Sequence, residues 1–337
     1  MTPLLLWLLY GLDADRPWLT AAAALLTLCV KEDAAVYVAV IGLFVLLRAA
    51  LRGFRENRRA IGLGGLLLGV SLIWFYGATG YLSAVGDGVM TYRYDNFLFG
   101  GSSNLTTVML SVFLCPMKVL WECVDADKLQ FIGMTVWPLL ALPLFTRRYE
   151  RWVLLIPYLL INLMSDYPYQ HDLLFQYSFG PLACLFYLTL VNLSELRVSC
   201  ERTVLLCASA AVCALCFTQT VWPEAVYCPN WYREQPEHYR AVRDTLALVP
   251  EDASVACTAF YTPYFSRRQV LYDIPHTTRE HILEAQYVAF NNNEPEFRKF
   301  ASDGQNNGRQ NFIAFLAENG YQPFASYGST LDIYYRP

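Results

Sequence analysis

The sequence predicts an α-helical polytopic membrane domain over residues 1–219, followed by a small α/β domain over residues 220–337. Composition is the first reason: 55% of the 337 residues are hydrophobic and 16% are charged, against about 25% charged in a typical soluble domain. The second reason is that the long apolar runs stop near residue 219, after which short strand and helix patterns alternate. The net charge of −4 lies entirely in residues 219–337, and this acidic balance predicts no nucleic-acid partner.

The membrane domain contains about seven to eight apolar segments after a partial one at its start. They cover residues 3–12 (partial), 17–30, 34–50, 59–82, 105–121, 128–145, 151–164, 172–193 and 203–219. The first run is too short to span a bilayer, which needs about 20 residues, and it lacks the basic flank of a signal peptide. We therefore expect the chain to begin partway through a helix, as an N-terminally truncated sequence would.

Basic loops predict the orientation of the membrane domain. Arginines gather at 48–59, 147–151 and 197–202. Because basic loops stay on the cytoplasmic side, the loops at 83–104 and 165–172 and the tail from residue 219 are predicted to face outward. The protein is thus expected in the cell membrane, with an extracytoplasmic C-terminal domain.

This orientation requires that one of two neighbouring apolar segments does not cross the membrane. We expect segment 105–121, which contains Pro116, to be re-entrant or interfacial. The alternative is that segment 128–145, which contains Pro138 and Pro143, fails to span.

Three adjacent charges, Lys31, Glu32 and Asp33, interrupt the apolar run over residues 17–47. One straight helix there would be about 45 Å long, against a hydrocarbon core of about 30 Å, so two short spans meeting at the charges are predicted. A charge at the bilayer centre costs about 2.5–3.5 kcal/mol. We therefore expect the three to line a polar cavity or to lie at the interface as a structural ion pair. Successive helical residues are about 100° apart, so all three cannot face one cavity.

The outer loops supply further polar candidates. Tyr92, Arg93 and Asp95 lie in "TYRYDNF", where arginine suits a phosphate and the aromatic rings suit a sugar face. The alternative is a solvated loop with an aromatic belt at the membrane surface.

A second outer stretch, "SDYPYQHDLLFQYSFG", contains His171, Asp172, Gln176 and Tyr177. The adjacent His171 and Asp172 are suited to proton transfer or to a divalent metal, although two ligands are too few to define a metal site. Gln176 and Tyr177 begin the next apolar segment, where they either line a cavity or make hydrogen bonds between helices.

The tail reads as a small α/β domain with a parallel or mixed sheet. Strands are predicted in "ASVACTAF", "QVLYDIP", "AQYVAFNN" and "STLDIYYRP", and helices in "HYRAVRDTLALVP" and near 309–319. Arg267 and Arg268 precede the second strand and either bind a phosphate or form a structural salt bridge. Cys228 and Cys257 are the only cysteines of the tail, and a disulfide between them is one option.

Several stretches together resemble a known family. "LLTLCVKEDAAVYVAVIGLFVLLR", "LLGVSLIWFYG", "DLLFQYSFGPLACLFY" and "ASVACTAFYTPYFSRRQVLYDIP" with "AQYVAF" are similar to a prokaryotic family of predicted multi-pass membrane proteins that carries only a domain-of-unknown-function label. The resemblance covers most of the chain. Its layout is similar to that of the GT-C glycosyltransferases, which take sugars from polyprenyl-phosphate carriers at the outer membrane face.

The resemblance implies a GT-C-like fold and a glycosyltransferase that uses a lipid-linked sugar donor. Membrane lipid and this donor are then the expected partners. Glu32 and Asp33 are then expected to support catalysis, with the main base in an upstream loop. Lys31 and the polar candidates of the two outer loops and the tail are expected to bind substrate. No cofactor is evident. The alternative is a non-catalytic membrane protein that binds or transports a lipid-linked or polar ligand.

Overall fold

The computed structural model describes residues 1–53, 55–85, 91–97, 105–302 and 305–337. The chain divides into two compact units, Met1–Pro223 and Glu224–Pro337. The division lies close to residue 219, the predicted end of the membrane domain. The first unit is helical and the second contains a small sheet.

The first unit begins with four helices and continues through shorter ones. They are α1 (Thr2–Asp13), α2 (Pro17–Leu28), α3 (Ala34–Arg52), α4 (Arg58–Val85), α5 (Leu105–Leu114), α6 (Pro116–Glu122), α7 (Ala126–Val136), α8 (Phe179–Ser194) and α9 (Ser199–Cys216). A 3₁₀ segment covers Thr91–Phe97. Between α7 and α8 the chain forms 3₁₀ segments at Trp137–Leu139, Leu142–Leu144, Tyr149–Leu155, Pro168–His171 and Gln176–Ser178, and a π-helix at Tyr158–Leu163.

Four helices in the described part of the chain are long and apolar enough to cross a membrane. They are Ala34–Arg52, Arg58–Val85, Gln176–Ser194 and Ser199–Glu234. The last one runs from α9 through a π-helical turn (Phe217–Val221) into α10 (Trp222–Glu234). By contrast, α1 and α2 have 12 residues each, or about 18 Å, which is shorter than the hydrocarbon core.

Breaks in the apolar segments explain why fewer long helices form than the hydropathy suggested. Residues 17–47 form two helices that meet at the charged triplet, as predicted. Segment 105–121 divides at Pro116, because proline cannot supply the backbone N–H that a continuous helix needs. Segment 128–145 is divided as well, since α7 ends at Val136, just before Pro138. Each of the two segments that were predicted as candidates for not crossing the membrane, 105–121 and 128–145, is thus interrupted.

The broken backbone after α7 is stabilised by side chains from neighbouring helices. Leu140 and Ala141 adopt left-handed φ values of 52° and 53°, which non-glycine residues rarely do. Ser209 donates to the Pro138 carbonyl at 3.1 Å, and Asn192 donates to the Leu142 carbonyl at 2.8 Å. Irregular backbone inside an apolar unit is tolerated where such partners exist.

The second unit is a five-stranded mixed sheet with helices on both faces. Its elements are α11 (Pro236–Leu246), β1 (Val255–Cys257), α12 (Thr262–Phe265), β2 (Leu271–Asp273), α13 (Arg279–Glu284), β3 (Tyr287–Phe290), α14 (Gly308–Glu318), β4 (Gln322–Tyr327) and β5 (Leu331–Tyr335). The strand order is β2-β1-β3-β5-β4, with the first three parallel and the last two antiparallel. The sequence missed β4, whose residues are mostly exposed at the sheet edge.

Both faces of the sheet are covered by apolar side chains. Val255 and Ile333 belong to the core on one face, and Val288 and Phe312 belong to the core on the other. Cys228 and Cys257 are free thiols, and Cys257 is fully buried in β1. The disulfide that the sequence allowed is therefore not formed in this structure.

Candidate functional site

The charged triplet forms the junction between α2 and α3. Lys31 Nζ and Asp33 Oδ2 are 3.2 Å apart, and the two side chains are 26% and 22% exposed. Glu32 is partly buried and has no hydrogen bond or ion pair within the described residues. Lys31 thus pairs with Asp33, which answers one question that the sequence left open.

Arg93 joins this junction from the 3₁₀ segment Thr91–Phe97. Its Nη2 donates to the Tyr177 hydroxyl at 3.1 Å. Its guanidinium carbon lies 4.6 Å from the Tyr167 ring centroid and 4.9 Å from that of Tyr177. Lys31 Nζ is 4.5 Å from the centroid of the Tyr177 ring. Tyr177 therefore contacts both cations, an arrangement that holds their charges at defined positions.

We call Lys31, Asp33, Arg93, Tyr167 and Tyr177 the cation–tyrosine cluster. Its members come from three separate stretches of the chain, near residues 31–33, 93 and 167–177. Of the residues that the sequence singled out, the structure brings together Lys31, Asp33, Arg93 and Tyr177. The side chains of Tyr92 and Asp95, two further candidates, lie outside the described residues.

Backbone contacts fix the position of Arg93 against the 165–177 stretch. The Arg93 carbonyl accepts from the Asp166 N–H at 3.0 Å and from Ser165 Oγ at 3.1 Å. Ser165 also donates to Gln170, while Asn162 donates to the carbonyls of Gln170 and Tyr177. These buried polar groups hold the stretch that follows the π-helix Tyr158–Leu163 in place against Arg93.

The first turn of α3 adds Tyr37, one helical turn after Asp33. Tyr37 is 1% exposed, and a Cβ atom on Gly180 of α8 would lie only 2.2 Å from its ring. Within the described chain, neither the Tyr37 hydroxyl nor Asp33 Oδ1 has a hydrogen-bond partner. A buried polar atom without a partner is costly, so these two atoms mark a place for water or a polar ligand.

Burial governs the ionisation of Asp33. Removal from water raises the pKa of its carboxyl group, and the charge of Lys31 opposes this rise. A carboxyl group with a raised pKa is a better proton acceptor than a fully solvated one.

His171 lies in a second polar group rather than in the cluster. Burial lowers its pKa, and the nearby ammonium of Lys128 lowers it further. Lys128 is 2% exposed and pairs with Asp125 at 3.2 Å. His171 Nδ1 is buried without a hydrogen-bond partner in the described part of the chain.

The other candidates have local roles or exposed positions. Asp172 Oδ1 accepts from the Leu174 N–H at 2.9 Å, which closes a turn, and Gln176 is exposed. In the second unit, Arg268 donates to the carbonyls of Val249, Pro250 and Ala253, and Arg267 is exposed. Arg268 thus ties together the chain before β1. Three or more potential metal ligands do not come together anywhere among the described residues.

An apolar groove of about 380 Å³ opens in the same unit. Its lining comes mainly from α1, α7, α8 and the helix that starts at α9, and it includes Leu6, Leu139, Leu173, Leu182, Phe186 and Phe217. Leu173 and Leu182 flank Tyr177 in the chain. The groove and the cation–tyrosine cluster therefore share the segment that links the 3₁₀ turns to α8.

The sequence alone did not single out Tyr37, Tyr167 or Gln170. Tyr37 carried a signal, because it follows Asp33 by four residues and so lies on the same face of α3. Gln170 carried a weaker one, as an amide between aromatic residues. Nothing in the periodicity indicated that Tyr167 would contact Arg93, because 3₁₀ turns of this length leave no repeating pattern.

A comparison with protein-family models matches residues 1–325 to a family described as a predicted membrane protein, DUF2079. The chain belongs to the DUF2079 family. Neither the curated proteins nor the solved structures gave a match.

The DUF2079 match covers every member of the cation–tyrosine cluster and most of the sheet domain. Family membership and the apolar helices together establish a membrane protein with several candidate spans.

Proposed function

We propose that this protein binds a polyprenyl-phosphate-linked sugar and transfers the sugar, as a GT-C-like glycosyltransferase. The observation that carries the proposal is the cation–tyrosine cluster, in which two cations, a carboxylate and two tyrosines converge from distant parts of the chain. Outside the membrane core, such a set suits a ligand that has both a phosphate and a sugar.

The cations are suited to the phosphate of the donor. Arg93 offers a planar set of donors for phosphate oxygens, and Lys31 adds a point charge. In the transfer step the bond between the sugar anomeric carbon and the phosphate oxygen breaks. The leaving oxygen keeps the electron pair, and the two cations stabilise that developing charge.

Asp33 is suited to support the attacking group. An acceptor hydroxyl attacks the anomeric carbon, its oxygen forms the new glycosidic bond, and its proton passes to a carboxylate. Asp33 has one oxygen on Lys31 and a second without a partner among the described residues. Glu32 lies beside it without an ion pair within the described residues and remains a supporting candidate.

The apolar groove is suited to the lipid chain of the donor. A polyprenyl chain is entirely apolar, and the leucines and phenylalanines that line the groove offer it van der Waals contacts. We place the cluster and the second unit on the extracytoplasmic side, because arginines gather in the opposite loops.

The ion pair between Lys31 and Asp33 favours a second candidate function. A carboxylate held by an ammonium at 3.2 Å is a weaker base than an unpaired one, which suits binding without chemistry. The same site then belongs to a membrane protein that binds or transports a lipid-linked ligand.

A binding and turnover experiment tests the proposal. Purified full-length chain is incubated with radiolabelled polyprenyl-phosphate sugars and with acceptor alcohols, and both bound ligand and released polyprenyl phosphate are measured. The transferase proposal predicts that the ligand binds and that polyprenyl phosphate is released. It also predicts that Asp33→Asn reduces the release much more than the binding. Binding without release, unchanged by Asp33→Asn, supports the second candidate. Absence of binding contradicts both.

A further inference from the structure

A polar cavity of about 360 Å³ lies at the other end of α3 from the cation–tyrosine cluster. The 19 residues of α3 place its two ends about 28 Å apart. Four arginines line the cavity: Arg48, Arg52, Arg148 and Arg151. The volume is in the range of small-molecule sites, about 300–1,000 Å³.

Two carboxylates hold three of these arginines in place. Asp13 pairs with Arg48 at 3.0 Å. Glu195 pairs with Arg148 at 3.0 Å and with Arg151 at 2.7 Å, and the hydrogen bond from Arg151 lowers the pKa of Glu195. The charges of these groups largely cancel. The ion pairs hold the three arginine side chains in fixed positions along the cavity, and we call these three the arginine wall.

The remaining charges of the lining have both signs. Arg52 has no ion pair to any described carboxylate, and Glu150 and Asp15 have none to any described cation. Glu150 lines the cavity, and the residue as a whole is 8% exposed. A carboxylate without a cation beside it attracts the cationic group of a ligand. The cavity therefore offers one place for an anion and another for a cation.

We propose that this cavity binds a headgroup that carries both a phosphate and a primary ammonium. In this proposal the phosphate of the headgroup lies against Arg52 and accepts hydrogen bonds from guanidinium N–H groups of the arginine wall. The ammonium of the headgroup lies against Glu150. Such chemistry belongs to phosphatidylethanolamine in the membrane and to free phosphoethanolamine in solution.

The position of the cavity favours the lipid. Arg52 ends the candidate span Ala34–Arg52, and Glu195 directly follows the candidate span Gln176–Ser194. The ends of spans lie at the level of lipid headgroups, and basic pockets between membrane helices bind such groups. This inference does not depend on the proposed transferase function, because the two sites share no residue.

Binding of defined lipids tests the inference. The full-length chain in detergent is titrated with phosphatidylethanolamine, phosphatidylglycerol, phosphatidylcholine and soluble phosphoethanolamine, and occupancy is read by native mass spectrometry. We expect phosphatidylethanolamine to bind about tenfold more tightly than the other two lipids, as the loss of one charge-assisted contact predicts. Soluble phosphoethanolamine should compete for the same site. If it binds as tightly as the lipid, the free compound is the ligand.

Three variants distinguish the two charged subsites. Arg52→Gln should weaken phosphatidylethanolamine and phosphatidylglycerol alike. Glu150→Gln should remove the preference between those two lipids. Arg55→Gln is the matched control, because Arg55 is exposed and close in sequence but does not line the cavity.

Two results would overturn the inference. One is equal affinity of the unaltered protein for phosphatidylethanolamine and phosphatidylglycerol, which needs no variant. The other is an Arg52→Gln protein that binds lipid as the Arg55→Gln control does.

Discussion

Tyr177 is the residue through which the cation–tyrosine cluster is most easily probed. Its hydroxyl accepts from Arg93, and its ring contacts the cations of Arg93 and Lys31. Tyr177→Phe removes one hydrogen bond, so we expect affinity for a polyprenyl phosphate to fall by about 0.5–1.5 kcal/mol. Tyr177→Ala also removes the ring and should cost about 1 kcal/mol more. Equilibrium binding measures both, with exposed Tyr81→Phe as control, and equal losses for Phe and Ala would contradict a role for the ring.

Asp33 provides a pH-dependent test. Burial raises the pKa of Asp33. The contribution of its protonated carboxyl group to the free energy of unfolding is therefore fully present below the ordinary pKa of 3.8, and it is lost as pH rises through the raised pKa. Asp33→Asn cannot ionise. The Tm of this variant relative to the unaltered protein should therefore increase over that window and stay constant above it.

Thermal unfolding in detergent from about pH 3.5 to 8 measures this difference. Asp244→Asn, at an exposed position of α11, is the control. A difference in Tm that does not change with pH would show that Asp33 is not buried as described.

The residues of the cluster were only partly predictable. Lys31 and Asp33 were indicated because charge inside an apolar run needs a partner. Arg93 was indicated because its chemistry suits a phosphate, and Tyr177 because a polar group at the start of an apolar segment needs a partner. Gln176 carried the same signal as Tyr177, and Asp172 was indicated beside His171, but neither residue lies in the cluster. Sequence gives the type of a residue, while the 3₁₀ turns that aim each side chain depend on tertiary contacts.

At the scale of elements, the close approach of α3 and α8 supports the site. Gly180→Ala places a methyl group against the buried Tyr37 ring, so we expect a loss of about 1–3 kcal/mol in stability from overpacking. Gly133→Ala in α7 is the matched control, because its added Cβ meets no atom within 4 Å. Thermal unfolding compares the two variants, and equal Tm values would contradict the contact between α3 and α8.

The paired short helices α5 and α6 allow a test of topology. We expect the segment 105–122 to enter and leave on the same side, because α5 and α6 have 10 and 7 residues and a span needs about 20. Epitope tags inserted after Val85 and after Val124 should both react with antibody in intact spheroplasts. A tag after Thr146 should react only after permeabilisation. If the tag after Val124 needs permeabilisation, the segment crosses the membrane.

Element boundaries were predictable where proline or charge interrupts an apolar run. The break at 31–33 and the end of α5 before Pro116 follow from such rules. Strand β4 was missed because its exposed residues alternate poorly and a bulge lies at Pro323 and Ala325. The first of the two short spans predicted over residues 17–47 was also overestimated, since α2 has 12 residues, fewer than a span needs.

At the scale of the whole molecule, the chain joins a helical membrane unit to a small mixed-sheet unit, and the DUF2079 match extends across both. The apolar runs and the strand patterns of the sequence predicted the membrane helices and the small sheet at the C-terminal end, because a span requires about 20 mostly apolar residues and a strand only about four to eight. The cation–tyrosine cluster could not be predicted from the sequence alone, since its members are separated by up to 146 positions in the chain, from Lys31 to Tyr177.

The central claim is that the cation–tyrosine cluster binds the phosphate of a lipid-linked ligand. Its most direct test is the affinity of the full-length protein for a short-chain polyprenyl phosphate, comparing Arg93→Gln with Arg202→Gln, which alters an exposed arginine of α9. Loss of a charged hydrogen bond predicts about 1.5–3 kcal/mol, or roughly 10- to 150-fold weaker binding, for Arg93→Gln. Arg202→Gln should bind as the unaltered protein does. Equal affinity of the two variants would contradict the claim.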